Sequence, residues 1–260
     1  MNFKDILYEK NAGIAKISLN RPEVLNAFRT HTVRELIQAF EDASGDKSVG
    51  VIILTGEGER AFCVGGDIRW EKNLSPEDGR RLFLVLMNLA NTMRNSGKPI
   101  INMVRGYCIG GGLELNLLSD FCIASENAVF GEGGPKIGTL SSLYVPQSLP
   151  LLIGERKARE VIYLCRQYSA IEAKQMNWIN EVVPDDQLEN EVVKWCTELL
   201  EKSPQSLRMA KNSMNYISDQ LYSAVLKDLD LLSTTYGNEE FIEGMSSFLE
   251  KRKPDFSRFR

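Results

Sequence analysis

Apolar positions alternate with polar ones near the N-terminus and then recur in short continuous runs, a pattern typical of a mixed α/β protein. Apolar segments at 6–8 and 14–19 flank Asn11-Ala12-Gly13, which predicts a β-hairpin. Further strands are predicted at 49–54, 100–104, 121–124 and 128–130. The spacing leaves room for a helix or a loop between successive strands.

Helical periodicity separates these strands and dominates the second half of the chain. Thr32 and Glu35 have capping-box spacing, which predicts the start of one helix. Ser75-Pro76-Glu77-Asp78 predicts the start of a second helix, and Gly97-Lys98-Pro99 predicts its end. Six more helices are predicted, at 157–165, 171–176, 188–202, 204–217, 222–235 and 239–250. The chain therefore reads as an α/β core followed by a helical C-terminal region.

Composition and charge narrow the class of protein. With 260 residues and 43% hydrophobic content, the chain is long enough for one large domain with a helical appendage. The net charge of -4 and the pI near 5.3 provide no uniform positive field for nucleic acid or an anionic membrane. Residues 1–20 do not resemble a signal peptide, and no apolar window has the length of a membrane span. Five cysteines without CxxC spacing favour reduced, buried thiols, so we expect a cytoplasmic protein with no metal site.

Two glycine-rich stretches carry the candidate chemistry. Residues 61–67 read A-F-C-V-G-G-D, and residues 106–114 read G-Y-C-I-G-G-G-L-E. Glycines allow a close backbone approach, so that free N–H groups can bind a developing oxyanion. Glu114 would lie in the first turn of a helix beside that oxygen, where a carboxylate can move protons at carbons near a carbonyl. An acid that only complements the helix dipole is the alternative.

These strings resemble the crotonase superfamily, also called the enoyl-CoA hydratase/isomerase family. The same order continues through K-P-I-I-N-M-V-R and S-D-F-C-I-A-S-E-N-A-V-F-G, and the resemblance covers essentially the whole chain. It implies a spiral of β-β-α units over residues 1–200 and a helical trimerisation region over residues 201–260. It also implies assembly as a homotrimer or a dimer of trimers.

The resemblance further implies a coenzyme A thioester as substrate, with no permanently bound cofactor. The N–H groups of Val64 and Gly111 would hold the thioester oxygen. The first glycine loop is expected to contact the substrate through Cys63, Gly65, Gly66, Asp67 and Ile68.

Hydratases of this family carry a second glutamate in an F-G-x-P-E string, and that position is Gly134 in this chain. Glu132 is one possible replacement, although a solvated loop residue is an equal alternative. The hydroxyls of Ser141 and Tyr144 are the other replacements, because they could hold a water molecule or a ring oxygen.

A finer resemblance comes from Gly134-Pro135-Lys136-Ile137-Gly138 and from the C-terminal string K-R-K-P-D-F. Both are similar to 1,4-dihydroxy-2-naphthoyl-CoA synthase and 2-ketocyclohexanecarboxyl-CoA hydrolase, which form or cleave a ring carbon–carbon bond beside a thioester. The match places Tyr236 on a synthase active-site tyrosine and Lys251 on a lysine expected to contact coenzyme A phosphate. The alternatives are an interface aromatic for Tyr236 and a solvated charge run for Lys251. These relatives have an aspartate where this chain has Ser141.

The expected activity is therefore hydration of a cyclic or bulky enoyl-CoA. The candidate catalytic residues are Glu114, Val64, Gly111, Ser141 and Tyr236. Hydrolytic opening of a cyclic β-oxoacyl-CoA and double-bond isomerisation are the enzymatic alternatives. A non-catalytic acyl-CoA-binding or RNA-binding member of the family is the alternative outside enzymes, and the acidic pI disfavours RNA. The only histidine, His31, precedes the first helix, which argues against a Ser-His-Asp site.

Overall fold

The computed structural model describes residues 2–260 and contains two β-sheets. The strands are β1 Ile6–Asn11, β2 Ile14–Leu19, β3 Val51–Gly56, β4 Ala61–Cys63, β5 Ile100–Val104, β6 Tyr107–Ile109, β7 Phe121–Ser125, β8 Val129–Gly131, β9 Gln167–Ser169 and β10 Glu181–Val183. The larger sheet has the order β1-β2-β3-β5-β7-β10, and only β1 runs antiparallel to its neighbour. The smaller sheet has the order β4-β6-β8-β9, in which β9 is antiparallel.

Helices connect and cover the sheets. They are α1 Thr30–Gly45, α2 Ile68–Glu71, α3 Pro76–Arg94, α4 Gly111–Leu117, α5 Val145–Ile153, α6 Glu155–Leu164, α7 Ala170–Gln175, α8 Leu188–Leu200, α9 Pro204–Met214, α10 Tyr216–Ser233 and α11 Glu239–Leu249. Short 3-10 turns lie at Pro22–Val24, Gly134–Ile137, Asp185–Gln187 and Ser257–Phe259. No helix in this described part of the chain is long and apolar enough to cross a bilayer.

Successive strands alternate between the two sheets. In the pairs β3/β4, β5/β6 and β7/β8, the first strand joins the larger sheet and the second joins the smaller one. Helices α2 and α3 follow the first pair, and α4 follows the second. The spiral of β-β-α units implied by the crotonase resemblance is therefore confirmed.

The continuous apolar runs of β3, β5 and β7 are explained by burial on both faces. One face packs into the main core, and the other is covered by α8. The second face forms a separate cluster made of Val51, Ile53, Ile101, Met103, Ile123, Leu188, Val192 and Cys196. These three strands are therefore fixed by packing on both faces.

The predicted hairpin and the second helix agree with the structure, whereas the first helix begins earlier than predicted. Ser75 caps α3, with a hydrogen bond of 3.2 Å from the Asp78 N–H to its Oγ. Helix α1 begins at Thr30, and Thr32 donates instead to the Asp5 carboxylate at 2.6 Å. Glu35 accepts the Lys4 and Asp5 N–H groups, each at 2.7 Å. The predicted capping box is wrong because both of its side chains bind the N-terminal segment.

The C-terminal helices pack on the α/β core of their own chain. Helix α10 contacts α3 and α5, and α11 contacts the turn at Gly134–Ile137. In α9, buried Lys211 donates to Asp120 at 2.7 Å and to the Lys98 carbonyl at 2.9 Å. The predicted boundary between 1–200 and 201–260, and the role of the second segment in oligomerisation, stay predictions.

Candidate active site

The two glycine-rich loops meet at the ends of two paired strands. Strands β4 and β6 are parallel, with Cys63 opposite Cys108, so the chain leaves both strands at one edge of the smaller sheet. A Cβ atom on Gly65 would lie 2.7 Å from the Gly111 nitrogen, and one on Gly111 would lie 2.5 Å from the Phe28 ring. Such contacts are too close for any side chain. Glycine at both positions is what allows the loops to converge as predicted.

Two backbone N–H groups at this convergence have no partner. The Gly110 N–H donates to the Gly131 carbonyl at 3.2 Å, and the Glu114 N–H donates to the Gly110 carbonyl at 3.2 Å. Within residues 2–260, by contrast, the N–H groups of Val64 and Gly111 donate to no acceptor. Buried backbone donors are rarely left unpaired, so this pair is available to an oxygen atom of a ligand.

Glu114 lies beside these donors in α4. Its side chain is 6% exposed, and its Oε1 accepts the Leu143 N–H at 3.0 Å. Burial raises the pKa of Glu114 to about 8, the hydrogen bond from Leu143 opposes the shift, and the carboxylates of Glu132 and Glu71 add to it. A carboxyl group with a pKa near neutrality can both accept and donate a proton, as acid/base catalysis requires.

Glu132 is a second buried carboxylate, so the interpretation of Glu132 as a solvated loop residue is wrong. Its side chain is 1% exposed. Its Oε1 accepts the Gly134 N–H at 2.7 Å and the Ser141 hydroxyl at 3.0 Å. Burial raises the pKa of Glu132, and these hydrogen bonds oppose the shift. Ser141 thus serves to hold a carboxylate.

A third buried carboxylate, Glu71, is not predicted from the sequence. It ends α2 and packs against the first glycine loop, since a Cβ on Gly66 would lie 2.0 Å from its Oε1. Burial raises the pKa of Glu71 to about 7, and the neighbouring charge of Asp67 adds to the shift. The four residues of α2 are too few to show a periodicity, so no local signal marked Glu71 as buried.

Tyr236, a predicted site residue, lies in the link between α10 and α11. It is 2% exposed, and its ring packs against Phe83 and Phe241, with centroids 5.6 and 4.7 Å apart. Burial raises the pKa of the Tyr236 hydroxyl, and the nearby charges of Glu71 and Glu114 raise it further. The C-terminal region therefore packs an aromatic side chain against α3 of its own chain, within reach of the charges of Glu71 and Glu114.

Three other predicted site residues are Cys63, Asp67 and Lys251, and only the first two lie at the first glycine loop. The Cys63 thiol is fully buried, burial raises its pKa to about 12, and its Sγ accepts the Gly65 N–H at 3.4 Å. Asp67 accepts Arg21 at 3.0 Å, which holds the loop that leads into Ile68 and α2. Lys251 lies exposed after α11, and no contact in residues 2–260 places it beside the glycine loops.

Two further candidate side chains, those of Tyr144 and His31, interact with residues outside the glycine loops. The Tyr144 hydroxyl accepts a hydrogen bond from Arg94 at 2.9 Å, and its role as a replacement for the missing glutamate stays a prediction. His31 lies in the first turn of α1 rather than before it, with an exposed side chain that contacts Glu35 at 3.0 Å. Across residues 2–260, no group of three or more His, Cys, Asp or Glu side chains is placed to hold a metal ion.

The site combines two free amide donors with a buried carboxyl group between the ends of paired strands. This is the arrangement that acid/base catalysis with a stabilised oxyanion requires. Residues 9–258 match the model of the enoyl-CoA hydratase/isomerase family, and the chain belongs to that family.

Solved structures of other proteins are similar to this one over nearly the full length of the chain. An enoyl-CoA hydratase from Mycobacterium avium subsp. paratuberculosis K-10 has a TM-score of 0.90 at 25% identity, covering 98% of this chain and 99% of that one. An enoyl-CoA hydratase/isomerase from Xanthobacter autotrophicus Py2 has a TM-score of 0.86 at 28% identity, covering 96% and 94%. A probable enoyl-CoA hydratase from Mycobacterium thermoresistibile has a TM-score of 0.79 at 32% identity, covering 93% and 98%.

Proposed function

We propose that this protein adds water to an α,β-unsaturated acyl-CoA, with Glu114 as an acid/base group. The observation that carries the proposal is the position of the unpaired N–H groups of Val64 and Gly111 next to this buried carboxyl. Coenzyme A enters as part of the substrate.

The proposed reaction passes through an enolate. The thioester oxygen accepts hydrogen bonds from Val64 and Gly111, which stabilise negative charge that develops as water attacks the β-carbon. A carboxylate takes one proton from that water, and a carboxyl group returns one proton to the α-carbon. The product has gained one water, and the site keeps its number of protons. Removing a donor of this kind costs about 3 kcal/mol in the barrier.

A cyclic or bulky acyl group is the proposed substrate class. Support comes from the similarity of residues 134–138 to enzymes that act on ring thioesters. Apolar side chains near the site also fit such a group. Tyr236 contacts Phe83 of α3, and Trp70 and Leu74 lie half-buried after the first glycine loop. We further propose a cytoplasmic homotrimer or dimer of trimers, with Lys251 as a contact for coenzyme A phosphate.

Product masses test the reaction class directly. The purified protein is incubated with crotonyl-CoA, cyclohex-1-ene-1-carbonyl-CoA, a cyclic dienoyl-CoA and a cyclic β-oxoacyl-CoA. Hydration gives a gain of one water on the enoyl substrates, and the cyclic ones should react faster. Unchanged mass with a shifted double bond would establish isomerisation instead. Water gain only on the β-oxo ring, with fragments of an opened chain, would establish hydrolysis.

A further inference from the structure

We propose that Glu132 is a second acid/base group of this site and acts together with Glu114. This inference rests on the proposed function. It names the second of the two groups that exchange protons with water and with the α-carbon.

The two carboxylates hydrogen-bond to one short segment of chain. Glu132 Oε1 accepts the Ser141 hydroxyl at 3.0 Å, and Glu114 Oε1 accepts the Leu143 N–H at 3.0 Å. The Ser141 Oγ also lies 3.6 Å from where a Cβ on Gly110 would be, at the second glycine loop. The segment 141–143 therefore holds both carboxylates next to the oxyanion donors.

Only one of the two Glu132 oxygens has partners. Oε1 binds Gly134 and Ser141, whereas Oε2 is buried without a hydrogen-bond partner in residues 2–260. Leaving a buried carboxylate oxygen unpaired is costly, and native proteins rarely do so outside functional sites. The side chain is thus fixed through one oxygen while the other remains free to accept or donate a proton.

The backbone explains why this carboxylate comes from residue 132. A Cβ on Gly134 would lie 2.7 Å from Leu140 Cα, 2.8 Å from the Thr139 carbonyl oxygen and 2.8 Å from Glu132 Oε1. Position 134 has no room for any side chain, because the Glu132 carboxylate and residues 139–140 fill that space. An acid at this place in the site has to be supplied by a neighbouring residue.

Two carboxyl groups in one buried site favour the state in which one is ionised and the other protonated. The ionised group takes a proton from the attacking water, and the protonated group gives its proton to the α-carbon. After one turnover the site still holds one proton, now on the other carboxyl group. Neither an oxidant nor a further reactant is needed.

Glu71 is the rival for this role. Its carboxylate is buried near Glu114 but accepts no hydrogen bond in the described chain. Nothing orients the ionised form of Glu71, whereas two donors orient that of Glu132. The geometry therefore favours Glu132.

Four variants test the assignment: Glu132→Gln, Glu132→Ala, Glu71→Gln and the matched control Glu35→Gln. Glu35 is also buried and accepts two backbone N–H groups, but it does so at the N-terminal segment. The rate of hydration is measured with crotonyl-CoA and cyclohex-1-ene-1-carbonyl-CoA, and calorimetry gives the Kd of the unreactive probe butyryl-CoA. We expect Glu132→Gln to lower kcat by about a hundredfold or more at an unchanged Kd. Glu35→Gln should keep kcat within about twofold.

Chemical rescue distinguishes a catalytic role of Glu132 from a structural one. Glu132→Ala leaves the donors of Gly134 and Ser141 facing an empty space of carboxylate size. Added formate should therefore raise kcat of Glu132→Ala by about tenfold or more, and it should not rescue Glu132→Gln, whose amide fills that space.

The outcomes separate this inference from the proposed function. If Glu132→Gln retains kcat within about threefold while Glu114→Gln is inactive, Glu132 has no catalytic role, although hydration stands. Loss of activity in Glu71→Gln alone, or a parallel loss of kcat and butyryl-CoA binding in Glu132→Gln, also overturns the inference. Wild-type protein that hydrates neither probe, yet binds butyryl-CoA, contradicts the proposed function itself.

Discussion

A Cβ atom on Gly65 would lie 2.7 Å from the amide nitrogen of Gly111. The backbone of one oxyanion loop is therefore in direct contact with the donor of the other. Any side chain at residue 65 would push the Gly111 N–H away from its place, so the two donors can be adjusted only together.

Gly65→Ala should lower kcat/KM by about a hundredfold, because it displaces one of two oxyanion donors. Steady-state kinetics with crotonyl-CoA measure the effect. Gly154→Ala is the matched control, since Gly154 has φ +82° against +96° at Gly65 and has no atom within 4 Å of its Cβ position. Equal losses in both variants would assign the effect to backbone strain rather than to the donor.

Glu114→Gln should reduce hydration by about a hundredfold to ten-thousandfold, because an amide cannot exchange the proton. The glutamine oxygen can still accept the Leu143 N–H, so the fold and the Kd for butyryl-CoA should be retained. Kinetics and calorimetry on the same preparation measure both quantities. Near-normal turnover with this variant would rule out Glu114 as the acid/base group.

The stability of the protein should depend on pH through Glu114. Its pKa is raised from 4.5 to about 8 on folding, because the folded chain buries the carboxyl. Below about pH 4.5 the group is neutral in both states and its contribution to stability is fully present. That contribution is lost as the pH rises towards 8, since the unfolded chain ionises first.

Glu114→Gln removes this loss, so it should be more stable than wild type at pH 8 by up to a few kcal/mol, with a smaller gap at pH 5. Chemical denaturation at both pH values measures the difference in free energy of unfolding between the variant and the wild type. A gap that is constant with pH would show that the carboxyl is already ionised in the folded protein.

Gly134→Ala should destabilise the fold by about 1–3 kcal/mol, because its Cβ overlaps the backbone of Leu140 and Thr139. Denaturant unfolding measures the change. Gly45→Ala is the control, since no atom lies within 4 Å of its Cβ position at the end of α1, and it should be neutral or slightly stabilising. Equal stability of the two variants would mean that the loop at 139–140 can move aside.

Tyr236→Phe should lower kcat by about tenfold, which corresponds to one hydrogen bond to the reacting groups. Stability should change little, because the Tyr236 hydroxyl makes no hydrogen bond within residues 2–260, while the ring contacts to Phe83 and Phe241 are kept. Kinetics and thermal unfolding are compared. Unchanged kcat would limit Tyr236 to packing.

The parts of the fold that depend on local signals were predictable. The hairpin, the buried strands and the cap at Ser75 follow from apolar spacing and capping residues. Helix α5 was missed because V-P-Q-S-L-P-L-L-I has prolines and an apolar residue on every side, which removes the helical period. The predicted start of α1 is wrong because Thr32 and Glu35 bind Asp5 of the N-terminal segment, which is distant in the sequence.

The parts of the site that lie in contiguous sequence motifs were also predictable. The glycine loops and Glu114 lie in contiguous strings, and parallel pairing of β4 with β6 brings them together. The burial of Glu71 and Glu132 depends on packing against other segments, as does the contact of Tyr144 with Arg94. No local pattern encodes such partners.

The packing of Tyr236 on α3 of its own chain has a consequence for any assembly that would mix wild-type and variant copies. Val64, Gly111, Glu114, Glu132 and Tyr236 all belong to one polypeptide, which places their chemistry in a single copy. A Glu114→Gln copy would therefore lack a reacting group in its own site alone. An inactive copy would be recessive, because it takes no reacting group away from its neighbours.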